Sequence, residues 1–369
     1  MPIVLDLHQL RPEAVSVQLS QMAELMAFLH AVAEPAHHLD RRQEIQGMTR
    51  ALPDETNRAV RALAPFWARF RARHLMPLTF GQASGFEHEL KRVENLSLDL
   101  FAAFSAEVIY GTRIMTFPDV TRSPVAAADF VARAEERSEA RGILAAQLIR
   151  NPEELRSQLI TTLKEVNEKF FSERWNAALP QLRAAQTEVQ NALATQPLPM
   201  VFTSLNPGTH YFPSTQQIAF DKLQNAFISS SDDRKYILLP SSYGSPHLVI
   251  KFAQDYGHQR LDLPVVIQFP FTEMGVPTTN TMEEIRLRLT VMADPARMDL
   301  CRHLVNEQCT TTELAKRTGM TVPQVSRHLR RLRESGLLDS VKDGRMVRNR
   351  LNLRAVYSLG YDLVSSIVR

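Results

Sequence analysis

Residues 311–336 read TTELAKRTGMTVPQVSRHLRRLRESG, and this stretch decides the fold of the C-terminal part of the chain. Thr311 or Thr312 precedes a short helical run over 313–318 that stops at Gly319. Gly319-Met320-Thr321 makes a tight turn, and Thr321 is placed to cap a helix over 322–335 that Gly336 closes. Val322, Val325, Leu329 and Leu332 form one apolar stripe of that helix. Gln324, Arg327 and Arg331 fall on its opposite side, with Arg330 nearer the edge. A short helix, a glycine turn and a helix with an arginine-rich outer face are the parts of a helix-turn-helix.

The flanks extend the same reading. Downstream, Lys342-Asp343-Gly344-Arg345 is a hairpin turn between strands over 338–342 and 346–353. A hairpin directly after such a helix is a wing, with Lys342 and Arg345 at its tip and Arg348 behind. Upstream, 283–292 is a helical run, and Asp294-Pro295 starts another helix carrying Met298, Leu300, Cys301, Leu304 and Val305. Charge gathers here. Residues 316–354 hold 11 Lys/Arg against 3 Asp/Glu, whereas the chain outside 283–369 holds 27 against 30. That concentration suits a polyanion partner, here double-stranded DNA. Gln324 and Arg327, on the first turns, reach for base edges. Thr321 and Ser326 hold phosphates or assist readout, and Arg330, Arg331, Lys342, Arg345 and Arg348 act electrostatically.

Residues 285–353 resemble the winged helix of bacterial ArsR/SmtB-type transcriptional regulators. The matching strings are Ala293-Asp294-Pro295-Ala296-Arg297, Glu313-Leu314-Ala315, Val325-Ser326-Arg327-His328-Leu329, Leu332-Arg333-Glu334-Ser335-Gly336-Leu337-Leu338 and Gly344-Arg345. The resemblance implies sequence-specific DNA binding as a homodimer, usually as a repressor relieved by an effector. It also implies DNA contacts from Gln324, Ser326, Arg327 and the wing. One departure is Asn349, where such wings often carry an aromatic. The upstream region resembles the long domain of unknown function found before such winged helices in some bacterial regulators, through Ala23-Glu24-Leu25 and Leu238-Leu239-Pro240-Ser241-Ser242-Tyr243.

The remaining chain is read from its periodicity. With 369 residues, two or three domains are expected. A strand is predicted over 3–7 and a helix over 17–33 ended by Pro35. Further helices follow over 36–76, 85–110, 127–150, 152–170 and 172–194, the last bent at Pro180. Strand-like runs then occupy 199–205, 217–220, 236–240, 247–252 and 264–270. The fold class expected is mainly α with a β-containing middle region and a C-terminal winged helix-turn-helix. Its divisions are an α-rich 1–195, a mixed 196–280 and a DNA-binding 283–369.

Several classes are excluded or disfavoured. No apolar run approaches a membrane span, and the start of the chain lacks a secretory pattern, so the cytoplasm is expected. Cys301 and Cys309, the only cysteines, rule out a disulfide framework or a four-cysteine zinc site. A thiolate sensor needs more converging sulfurs, and the last segment offers Asp362 but no histidine for the family's other metal site. His37-His38 with Asp40, and His88 between Glu87 and Glu89, lack metallohydrolase spacing. No metal site and no cofactor are therefore expected. No phosphate loop, nucleophile elbow or kinase motif marks an enzyme. The upstream region reads as a sensor for a small organic effector, with Trp67, Phe70, Trp175, Tyr211, Tyr243 and His247 as candidate lining groups. A protein-interaction module, or an enzyme domain fused to a winged helix, are the competing readings.

Overall fold

The computed structural model describes residues 3–368 apart from 36–37, 39–41, 69–70, 82–84, 111–122, 207–208, 221–225, 230–233, 245–246, 253–254, 257–258, 261–262, 272–280, 306–307 and 344–345. The chain divides into two compact units, Met1–Pro277 and Thr278–Arg369.

The first unit opens with strands β1 (Ile3–Asp6) and β2 (Val15–Val17). Helices follow: α1 (Gln21–Ala33), α2 (Arg42–Ala51), α3 (Asp54–Ala62), α4 (Phe86–Glu94), α5 (Leu98–Tyr110), α6 (Pro124–Arg137) and α7 (Glu139–Arg150). Next come α8 (Pro152–Val166), α9 (Ser172–Thr195) and α10 (Leu198–Ser204). Strands β3 (Thr209–Phe212), β4 (Gln217–Phe220), β5 (Ala226–Ile228), β6 (Tyr236–Ser241), β7 (Val249–Lys251), β8 (Asp255–Tyr256), β9 (Gln259–Arg260) and β10 (Val265–Pro270) complete it.

Two four-stranded sheets tie the ends of this unit together, in the orders β3-β4-β1-β5 and β2-β6-β10-β7. In the second sheet β2, β6 and β10 run parallel and β7 is antiparallel. β6 is buried along its whole length, which explains its unbroken apolar run. Its alternate side chains serve two cores. Ile237 and Leu239 pack with Ala23, Met76 and Val266, while Tyr236 and Leu238 pack with Phe202, Ile218 and Phe220. A third core is helical and runs from Met22 through Trp67 and Phe101 to Phe171. α8 passes into α9 through a π-helical turn at Asn167–Phe171. Its extra residue lets consecutive side chains Phe170 and Phe171 both reach Phe28, with ring centroids 5.6 and 5.7 Å away.

Buried polar groups at the start of α1 are satisfied in concert. Ser20 caps the helix by accepting from the Ala23 amide, and its hydroxyl donates to Glu89 at 2.6 Å. The other Glu89 oxygen accepts from the Met22 amide at 3.0 Å. Burial raises the Glu89 pKa against the pull of these two bonds.

Three local expectations are corrected. The strand expected over 199–205 is instead helix α10 with Leu205 as its C-cap, because Pro197 and Pro199 occupy the cap and first-turn positions, where proline's fixed φ favours a helix start. The helix expected from residue 17 begins at Gln21, since Val15–Val17 pairs with β6. The strand expected over 247–252 is confined to Val249–Lys251. The stretches 1–195 and 196–280 contribute strands to both four-stranded sheets.

The second unit follows the helix-turn-helix reading closely. It comprises α11 (Met282–Met292), α12 (Pro295–Leu304), α13 (Thr311–Thr318), α14 (Val322–Glu334), the hairpin β11 (Leu338–Asp343) and β12 (Met346–Leu351), and α15 (Leu353–Val368). The cap of α13 is Thr310, in a reciprocal box with Glu313. Gly319 and Gly336 end α13 and α14 at φ 70° and 71°, a region only glycine enters without strain. Val325, Leu329 and Leu332 of α14 are buried with Leu300, Leu304 and Leu314.

Candidate nucleic-acid interface

The α13–α14 turn presents one helix face. Val325, Leu329 and Leu332 anchor α14, so Gln324, Ser326, Arg327, Arg330 and Arg331 are turned outward and exposed. Gln324, Arg327 and Arg331 follow at spacings of three and four, one line along the helix. Thr321 accepts from the Gln324 amide, while Gln324 Oε1 accepts from the Thr321 amide and hydroxyl, both at 2.9 Å. Both residues named from sequence as DNA contacts are therefore also the cap of the helix that would enter the groove. Arg330 pairs with Glu334 at 3.5 Å across one turn, an exposed contact of little energy.

The wing is fixed in register, Leu338 opposite Leu351 and Val341 opposite Arg348. Lys342 is exposed and Arg348 half-buried, while Arg345 lies outside the described residues. What locks the wing to the body is a group whose position sequence reading noted but whose role it missed. Asn349 is 1% exposed. Its Oδ1 accepts from Ser340 Oγ at 2.9 Å and Arg333 Nη2 at 3.3 Å, and its Nδ2 donates to the Cys309 carbonyl at 3.2 Å. The Asn349 and Cys309 backbones also pair reciprocally. A polar residue at an inward position of an alternating strand was the available signal. Both cysteines are buried, and burial pushes the Cys301 thiol up to about 11.

No curated protein matches the chain. The family of unknown function DUF5937 matches residues 1–275. The chain belongs to that family. A helix-turn-helix domain family matches residues 292–341, over α12 to β11 of this DUF5937 protein. Among solved structures it is similar to an ArsR-like transcriptional regulator from Rhodococcus sp. RHA1, at 24% identity over 22% of this chain and 77% of the other, with a TM-score of 0.22. It is also similar to NolR from Sinorhizobium fredii, at 24% identity over 22% and 86%, with a TM-score of 0.19. Reduced HlyU from Vibrio cholerae gives 24% identity over 23% and 85%, with a TM-score of 0.19.

In the DUF5937 unit the expected effector residues fall in different surroundings. Trp67 and Tyr243 are buried in the helical core and Trp175 packs at its margin, whereas Tyr211 packs on the sheet core. Phe70 lies outside the described residues. His247 is brought against His30 and His38, a grouping in which His30 was not singled out from sequence. No helix among the described residues is long and apolar enough to cross a membrane.

Proposed function

We propose that this protein is a sequence-specific, double-stranded DNA-binding transcriptional regulator. It acts in the cytoplasm as a homodimeric repressor, and a small organic effector bound by the first unit sets its affinity for DNA. The observation that carries the reading is the outward face of α14, where Gln324 and Arg327 lie on the first turns behind the Thr321 cap and Arg331 continues the same line in the last turn. A helix N-terminus favours phosphate, and a long cationic side chain one turn in reaches the base edges. A homodimer doubles the short half-site that one recognition helix covers. Leu287, Leu289 and Ile367 are exposed apolar residues on α11 and α15 that suit such pairing.

Arg327 is assigned to base readout, with Gln324 beside it. Ser326 and Thr321 serve phosphate or assist, and Arg330, Arg331, Lys342, Arg345 and Arg348 contribute charge. The test is selection of a preferred duplex by the full chain, followed by anisotropy titration of that duplex and a scrambled one. Arg327→Ala should lose about 1–3 kcal/mol on the selected duplex and relax preference at one position. Equal losses on both duplexes would refute the assignment, and no preferred duplex at all would refute sequence-specific binding.

A further inference from the structure

Three histidines outside the DNA-binding unit meet where the last turn of α1, the segment behind it and the loop after β6 converge. His30, His38 and His247 set their rings edge to face. The centroids are 5.2 Å apart for 30–38, 4.8 Å for 30–247 and 5.5 Å for 38–247. One ring nitrogen from each lies within 4.8 Å of the other two. The residues are 6%, 2% and 9% exposed.

The surroundings fix two of the three. The His30 Nδ1–H donates to the carbonyls of Trp67 and Ala68, at 3.1 and 2.9 Å. That leaves the Nε2 lone pair as the outward-facing donor of the ring, and among the described residues this buried atom has no hydrogen-bond partner. A backbone carbonyl behind one nitrogen is how proteins orient a metal-binding imidazole. The His247 loop is tied to the same helix that carries His30. The Glu24 carboxylate of α1 accepts from the Ser242 amide at 2.8 Å, the Ser242 hydroxyl at 2.6 Å and the Tyr243 amide at 3.1 Å. The His247 amide then donates to Gly244 at 2.7 Å.

We propose that His30, His38 and His247 hold a divalent transition-metal ion of the zinc class. This site stands apart from the DNA-binding reading and does not depend on it. Imidazole nitrogens suit zinc, nickel, copper and cobalt, whereas calcium and magnesium require oxygen donors. An ion about 2.0–2.1 Å from each nitrogen in tetrahedral geometry wants them about 3.3 Å apart. The ligand atoms now lie within 4.8 Å of one another, so binding an ion requires the His38 and His247 rings to turn toward it. Three neutral ligands leave the ion's charge uncompensated, and Arg71 adds a positive charge near His30. The fourth position therefore favours an anion, such as hydroxide, chloride or the carboxylate of a small organic molecule.

The full-length protein, stripped with a chelator, is titrated with Co2+ while visible absorption is followed, and Zn2+ is then added as competitor. The expected result is one equivalent of Co2+ with the absorption of a four-coordinate ion, displaced by Zn2+. His38→Gln and His247→Gln should each weaken binding tenfold or more, with His8→Gln, at an exposed site, unchanged. X-ray absorption of the zinc-loaded wild type needs no variant and should count three imidazole nitrogens around the ion. Absence of a Co2+ band, wild-type affinity in both variants, or a shell containing sulfur or lacking imidazole would each overturn the proposal.

Discussion

Replacing Asn349 with alanine should release the wing while leaving the helices in place. The side chain makes three hydrogen bonds, to Ser340, Arg333 and the Cys309 carbonyl. Two neutral bonds contribute about 1 kcal/mol each, and a bond from a charged donor somewhat more. Arg333 is exposed and its contact is long at 3.3 Å, so water replaces much of that contribution. The Cys309 carbonyl keeps the Asn349 backbone amide as a donor. The loss is thus about 2–3 kcal/mol, and if it falls on local opening of the hairpin, amide exchange there accelerates about 30- to 150-fold. Tryptophan fluorescence is blind to this, because both tryptophans, Trp67 and Trp175, lie in the first unit. Hydrogen exchange read by mass spectrometry on peptides covering 338–351 is the suitable assay, with peptides of α14 as internal reference. Ser340→Ala, which removes one of the two donors to Asn349 Oδ1, should give a smaller acceleration, near fivefold for about 1 kcal/mol. Exchange in 346–351 that stays within threefold of wild type in a folded Asn349→Ala protein would refute the reasoning.

Arg345→Ala should weaken binding to every duplex alike and reduce the slope of log affinity against log salt by about 1, measured by anisotropy across salt concentrations; a sequence-dependent loss would count against a phosphate contact. His74 is fully buried among Phe66, Phe101 and Phe104, and burial first, then Arg92, Lys251 and Arg73, lower its pKa from 6.5 to about 3. The unfolded chain therefore takes up a proton that the folded chain refuses, and stability falls as pH drops from about 6.5 toward 3, by about 2 kcal/mol between pH 7.5 and 5. His74→Leu should remove that increment from the urea-unfolding pH profile of the first unit, and an unchanged profile would show the ring is not the source. Leu287→Glu with Leu289→Glu, at 45% and 38% exposed positions, should leave the fold intact and convert a sedimenting dimer to monomer; a dimer surviving the change would move the interface elsewhere.

Legibility differed sharply between the two units, for physical reasons. In 311–351 every signal is local: caps, a left-handed glycine, an apolar stripe of period 3.6 and an Asp-Gly turn all act within a few residues. They specify the elements that form, although the cap of α13 is Thr310 rather than Thr311 or Thr312, and Val322 of the expected stripe is 46% exposed. The first unit is assembled by long-range pairing. β6 lies between β2 and β10, and β1 between β4 and β5, partners up to about two hundred residues away that periodicity does not encode. Residues 199–205 show the same limit from the other side, since Val201, Phe202 and Thr203 favour a strand locally while two prolines start a helix. The histidine grouping was hidden for a related reason. His30 sits within a run of buried apolar residues on α1, and His247 is over two hundred residues away. The Glu24 bonds to Ser241, Ser242 and Tyr243 help bring them together.

Gln324 shows why helix capping and base reading have to be separated by experiment. Its Oε1 is engaged by Thr321 in the unbound protein, so a base that needs this acceptor must first break the cap. The Thr321 hydroxyl still accepts from the Gln324 amide, so only the reciprocal bonds to Oε1 are lost, about 0.5–1.5 kcal/mol each, against the roughly 1–3 kcal/mol a good base contact supplies. A phosphate at the start of α14 offsets that cost, because it takes over the amides the cap had satisfied. Alternatively Gln324 keeps its cap and offers only its Nε2–H to an acceptor on the base. Gln324→Glu distinguishes a capping role from a DNA role. Glutamate completes the same box with Thr321 and adds a negative charge at the positive end of the helix, so the melting temperature of the second unit should hold or rise slightly, by about 0.3–1 kcal/mol in stability. The same charge set in a groove lined by phosphates and base acceptors should lower DNA affinity at least tenfold. A variant that is as stable as wild type and binds its duplex as tightly would place Gln324 outside the interface, as a capping residue alone, and leave Arg327 as the reader on that turn.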